Sequence, residues 1–249
     1  EQILLTCGAS PGLVLALTSL FAPGARVATA RPGYVAYRNT LKALYLEPLE
    51  VDCGPAERYQ IGAAALEALE PAPDGAIIAS PANPTGTIIP ADEMARIAET
   101  CRARGIRIVS DEIYHGLSYG DPARSMLEFA PDAVIVNSFS KYFSMAGWRL
   151  GWVVFPPDLI DTARARMGNL FLTPPSLAQH AGLKAFDCID ELEGHVATYR
   201  RNRELLLAAL PALGLREIGP PDGAFYIYAD VGHLTDDSQA FCMQLLVDT

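Results

Sequence analysis

The chain has 249 residues, half of them hydrophobic and 19% charged, enough to enclose one large core or one domain with part of a second. Its formal net charge of −10 and the absence of a basic tail argue against a nucleic-acid partner. The sequence has no apolar run of about 18 residues and no secretory-signal pattern at its start. Its five cysteines include no C-x-x-C pair, so the expectation is a cytoplasmic protein with no membrane partner, metal site or disulfide framework.

In chain order, the first element is a helix opened by Ser10 as N-cap and Pro11 behind it, turning Leu13, Leu17 and Leu20 inward. Ala76 to Ala79 reads as a buried strand. A helix follows with Pro90 near its start, Asp92 and Glu93 in the first turn, Met94, Ile97, Ala98 and Cys101 on one face, and Gly105 as terminator. Ile106 to Val109, Ala133 to Val136 and Trp152 to Phe155 are further strands, all expected to be parallel. From about Asp158 long helices take over, including one from Glu191 to Leu210, and a short strand pair is expected at 215–217 and 224–228. The fold class is therefore α/β: a three-layer α/β/α, mostly parallel sheet over 1–187, with part of a smaller α+β C-terminal domain over 188–249. The cysteines read as buried thiols, and His115, His180, His195 and His233 as structural or surface residues. A start at Glu1 without Met, and an end at Leu245 to Thr249 that reads as the middle of an element, suggest an internal fragment.

Chemistry gathers where the apolar runs stop. Ala79 leads into Ser80-Pro81-Ala82-Asn83-Pro84-Thr85-Gly86, Val109 into Ser110-Asp111-Glu112-Ile113-Tyr114, and Val136 into Asn137-Ser138-Phe139-Ser140-Lys141. Parallel strands would bring all three clusters to one sheet edge, the edge at which open α/β sheets bind ligands. Gly8-Ala9-Ser10 opens a helix whose free N–H groups suit a phosphate, and Arg149 adds a guanidinium fork. An amine, a carboxylate, a phenol and a phosphate cradle meet the needs of pyridoxal phosphate (PLP). Lys141 would form the Schiff base, Asp111 would keep the pyridine nitrogen protonated, and Asn83 with Tyr114 would hold the phenolate oxygen. Neither the G-x-x-x-x-G-K-[ST] spacing of a P-loop nor G-x-G-x-x-G is present, so ATP and NAD are disfavoured. Ser138-x-x-Lys141 also lacks the companion motifs of a β-lactamase.

Asn83-Pro84-Thr85-Gly86, Asp111-Glu112-Ile113-Tyr114, Ser138-Phe139-Ser140-Lys141 and Gly147-Trp148-Arg149-Leu150-Gly151 resemble, in sequence and in order, the signatures of class I/II aminotransferases, the aspartate aminotransferase-like PLP enzymes of fold type I. The resemblance runs from Thr6-Cys7-Gly8-Ala9 through Pro32-Gly33-Tyr34 to Gly223-Ala224-Phe225-Tyr226. It implies that Ser10, Ser138 and Arg149, with the backbone at Gly8 and Ala9, hold the phosphate, and that Tyr34 stacks on the ring. Lys141 would then move the proton at the substrate α-carbon. It further implies an amino-acid transaminase acting on an amino acid and a 2-oxo acid, and a homodimer in which Phe171-Leu172-Thr173-Pro174-Pro175 reaches the neighbouring subunit. In the family, the arginine that grips the substrate carboxylate and a segment that closes the site would lie beyond Thr249 and before Glu1. A carbon-sulfur β-lyase and a non-catalytic, PLP-binding sensor domain are the alternatives, because cofactor residues do not decide which bond breaks.

Overall fold

Short runs of β-branched and small apolar residues form one sheet because both of its faces can be covered. The computed structural model describes residues 2–248. Seven strands, β1 (Ile3–Thr6), β2 (Arg26–Arg31), β3 (Glu47–Asp52), β4 (Gly75–Ala79), β5 (Arg107–Asp111), β6 (Val134–Ser138) and β7 (Gly151–Val154), lie in the order β1-β7-β6-β5-β4-β2-β3. Between them run α1 (Ala9–Leu20), α2 (Val35–Ala43), α3 (Ala63–Ala68) and α4 (Ala91–Arg104). After β7 come α5 (Ile160–Leu170), α6 (Ser176–Ala185), α7 (Ile189–Ala209) and α8 (Ser238–Asp248). Among the described residues, no helix is long and apolar enough to cross a membrane.

Alternation along each strand divides two cores. Ala76 and Ile78 of β4, Ile108 of β5 and Ile135 of β6 face α3 and α4 through Leu66, Met94, Ile97 and Cys101. Ile77, Val109, Val134, Val136 and Val153 face the other way, onto Leu13 and Leu17 of α1, Leu41 of α2 and Ala163 of α5. The sheet is thus buried on both faces between helical layers, the three-layer α/β arrangement expected. α4 follows its predicted course, with Pro90 as N-cap and Gly105 as a left-handed C-cap at φ 69°.

Several expectations are corrected. β7 is antiparallel to both of its neighbours, β1 and β6, whereas β2 through β6 pair in parallel. Ser10 does not cap α1, because Gly8 occupies that position at φ 103°, ψ 174°, backbone that favours glycine. Leu20 is only half-buried. The strand pair at 215–228 reduces to a single bridge, Ile218 to Ala229. Pro220 and Pro221 bring no N–H donors, and the three residues after them donate elsewhere, Asp222 to the Pro220 carbonyl at 3.0 Å, Gly223 to the Gly86 carbonyl at 2.8 Å and Ala224 to the Leu117 carbonyl at 2.9 Å. Of the cysteines, Cys53 and Cys101 are buried, Cys7 and Cys188 half-buried, and Cys242 exposed.

At Gly151 the antiparallel β7 lies so close to the first turn that an added Cβ would meet the Gly8 carbonyl carbon at 2.8 Å and the Asn137 oxygen at 2.9 Å. Both are backbone atoms and cannot swing aside, so Gly151→Ala is expected to cost about 2–3 kcal/mol. A fall in the urea midpoint at constant m would show it.

Candidate active site

The register aligns the carboxyl ends of the central strands: Ala79 pairs with Asp111, and Asp111 with Val136. Asp111 is itself the last residue of β5, because the ladder runs two residues past the apolar run into the polar cluster. β1 is antiparallel to β7 and β7 to β6, so the carboxyl end of β1 reaches the same edge and delivers Gly8 and the start of α1 there. β7 runs the opposite way, and it is its entry that meets this edge. That is why Arg149 precedes its strand while the other polar groups follow theirs.

A cavity of about 200 Å³ opens at this edge, lined by Ala9, Ser10, Tyr34, Asn83, Asp111, Tyr114, Lys141 and Arg149, with Tyr37 among its other walls. Two expected residues are not on the wall. Gly8 lies behind the Arg149 guanidinium, where an added Cβ would meet Nη2 at 2.5 Å. Ser138 is buried, and its Oγ accepts a hydrogen bond from the Ser140 N–H at 3.0 Å, which turns the loop toward Lys141. Thr6 Oγ1 donates to the Gly8 carbonyl at 2.8 Å, and Arg149 Nη1 donates to the Ala146 carbonyl at 2.8 Å. Both fix the backbone and guanidinium at this corner of the cavity.

Asp111 is 8% exposed. Its Oδ2 accepts from the Tyr37 hydroxyl at 2.6 Å and its Oδ1 from the Ile113 N–H at 3.1 Å. Burial pushes its carboxyl above the usual range, while the bonds from Tyr37 and Ile113 pull it back. Tyr37 itself is pushed well up, chiefly by burial and then by the Asp111 charge. Sequence reasoning passed over Tyr37. Its spacing of three from Tyr34 at the start of α2 was the available signal, and the two rings meet edge to face at 5.4 Å.

Burial lowers the Lys141 amine, and the Asp111 charge opposes this. The amine lies 5.5 Å from the centre of the Tyr114 ring and 5.3 Å from that of Phe225. The Tyr114 hydroxyl is 2.5 Å from that of Tyr226. Desolvation is the main cause pushing both phenols up, more so for Tyr114. In the sequence, Phe225 and Tyr226 belong only to the Gly223-Ala224-Phe225-Tyr226 stretch of the resemblance, which implies no role for them. They reach the site because the 220–226 segment docks against the loop after β5.

The fold is an open α/β sheet with a polar-lined cavity outside the carboxyl ends of its central strands, the edge at which such sheets bind their ligands. More narrowly, the chain belongs to the aminotransferase class I and II family, which it matches over residues 1–248. It is 47% identical to the valine–pyruvate aminotransferase of Mycobacterium tuberculosis, covering 100% of this chain and 65% of that protein. A crystal structure of an aminotransferase from the same organism superposes with a TM-score of 0.97 at 46% identity, over 100% of this chain and 65% of that one. The aspartate aminotransferase of Thermus thermophilus with maleate gives 0.91 at 29% identity, over 98% and 65%. The chain thus spans about 65% of the length of these relatives.

Proposed function

We propose that this protein is a PLP-dependent aminotransferase that moves an amino group between an amino acid and a 2-oxo acid. The observation that carries the reading is the convergence of Lys141, Asp111 and Arg149, from three separate chain segments, on one cavity of about 200 Å³. The residues fit the cofactor. The position of Gly8 keeps side-chain bulk out of the space beside Arg149, the N-terminus of α1 offers free N–H donors, and Asp111, the one carboxylate on the cavity wall among the described residues, is fixed by two donors.

When bound, the cofactor supplies an aldehyde and an electron-accepting ring. Arg149, Ser10 and the N–H groups at Gly8 and Ala9 would hold its phosphate. Ser138, buried just behind the wall, would offer the same phosphate its hydroxyl proton, since its bond with Ser140 uses only an acceptor site. Asp111 would hold a proton on the ring nitrogen, with Tyr37 and Ile113 fixing both carboxylate oxygens. Asn83 and Tyr114 would donate to the ring oxygen, and Tyr34 would cover the ring. Lowered by burial, the Lys141 amine is a nucleophile in larger fraction than an exposed lysine. As a free base, Lys141 would carry a proton from the substrate α-carbon to the cofactor's aldehyde carbon, on the far side of the nitrogen.

The name of the Mycobacterium tuberculosis relative makes valine and pyruvate the first pair to try. The test is to add PLP, record the visible spectrum, and follow the 2-oxo acid formed from each donor amino acid. Amino transfer to pyruvate supports the reading. Thiol release without transfer would favour the lyase, and a visible band with neither would favour the sensor.

The division at 187/188 belongs to the same reading: α5 and α6 precede it, and α7 starts at Ile189. So does a homodimer. An apolar groove of about 520 Å³, lined in part by Leu5, Phe139, Trp152, Leu183 and Phe186, and Leu172, 72% exposed within Phe171–Pro175, are the surfaces a second copy would cover. Sedimentation as a monomer at all concentrations would remove it.

A further inference from the structure

We infer that Tyr226 is a positioning residue of this site: by hydrogen-bonding to the Tyr114 hydroxyl it commits Tyr114's own proton to the cofactor's ring oxygen. The inference rests on the cofactor reading above and names a member of the site that the sheet edge does not supply.

The two hydroxyl oxygens are 2.5 Å apart, and the rings meet edge to face at 5.6 Å and 78°. Tyr226 is not on the cavity wall; it stands behind Tyr114. Its place is over-determined by its own segment. The Tyr119 hydroxyl donates to the Ala224 carbonyl, and Asp222 accepts from the Ile88 N–H at 3.0 Å and pairs with Arg58. The missing side chain of Gly223 leaves room for the Leu117 carbonyl, which an added Cβ would meet at 2.6 Å.

A phenol has one proton to give and two lone pairs to receive with. Between the two phenols alone, either oxygen can be the donor. With an anionic oxygen beside Tyr114 in the cavity, only one order satisfies every group: Tyr226 donates to Tyr114, and Tyr114 donates to the ring oxygen. Hydrogen bonds aligned in one direction strengthen one another, so Tyr226 makes Tyr114 the better donor. Burial keeps both phenols protonated at neutral pH, so the relay does not depend on ionisation of either. Negative charge on the ring oxygen is then better stabilised, and the acid form of the visible band is lost at lower pH.

The test is a pH titration of the visible absorption of the PLP-loaded protein, in wild type, Tyr226→Phe, Tyr114→Phe and the double variant. Tyr226→Phe keeps the ring packing and is expected to raise the midpoint by about 0.3 pH unit. Tyr114→Phe should raise it by about 1 unit, and the double variant should match Tyr114→Phe alone, because Tyr226 acts only through Tyr114. A purely structural role would move the melting temperature and leave the midpoint in place. An unmoved midpoint in Tyr226→Phe, or shifts that add in the double variant, would overturn the inference. A wild-type protein with no visible band would instead remove the cofactor reading on which it stands.

Discussion

Lys141→Ala is expected to abolish covalent capture of PLP and to cut amino transfer by about 10⁴-fold or more. Under the proposed function one side chain would carry two duties, nucleophile toward the aldehyde and proton carrier at the substrate carbon. Loss of a positioned acid-base group alone costs about 10²–10⁴-fold, and loss of the covalent route adds to this. The amine is half-buried, with its proton affinity lowered by desolvation, so the free amine persists to lower pH than in an ordinary lysine. Reduction of the PLP-loaded protein with borohydride and peptide mapping would place the label on Lys141 in the wild type. A label of equal yield elsewhere in Lys141→Ala would show that another amine does the work.

Asp111→Asn should separate function from stability, with opposite signs. Function falls, because a neutral amide cannot keep the ring nitrogen protonated; a loss of about 10²-fold or more in kcat is expected. Stability of the cofactor-free protein rises. The carboxyl of Asp111 is raised by burial above its unfolded value, so between the two values the folded state binds more protons than the unfolded one. Its stabilising contribution is full below the unfolded value of about 4 and is lost as pH climbs through the folded value, leaving a penalty at neutral pH. Asparagine can keep the Ile113 N–H bond on its oxygen and donate its amide N–H to the Tyr37 hydroxyl oxygen, which stands where Oδ2 accepted before, and it carries no charge. A melting temperature about 2–4 °C higher near pH 7, with the gain shrinking toward pH 4, is the expected calorimetric result. An unchanged kcat, or a lower melting temperature, would contradict this account of the carboxylate.

Much of this was legible without coordinates. Short apolar runs ending in polar clusters, helices between them, and three clusters bearing Asn83, Asp111 and Lys141 sufficed to place a site at a sheet edge, because the strand period and the right-handed crossover leave few topologies. The helix Ala91–Arg104 was readable end to end, since proline and glycine mark its limits. β2 and β3 were not singled out, because Arg26–Arg31 and Glu47–Asp52 mix charge with apolar residues and show neither a clean run nor clean alternation.

Residue types and their order along the chain determined the α/β class, the family and the inventory of an amine, a carboxylate, a phenol and a guanidinium, because these depend on local pattern. Tertiary structure alone decided which groups touch. It set the reversal of β7 that brings Arg149 to the edge from the entry side, the Tyr37 hydroxyl on Asp111 across 74 residues, and the meeting of Tyr114 with Tyr226 across 112. Such pairings arise from the closure of long loops and from packing of distant segments against a shared surface. Their free energy depends on separation in space, about which a one-dimensional pattern carries no signal.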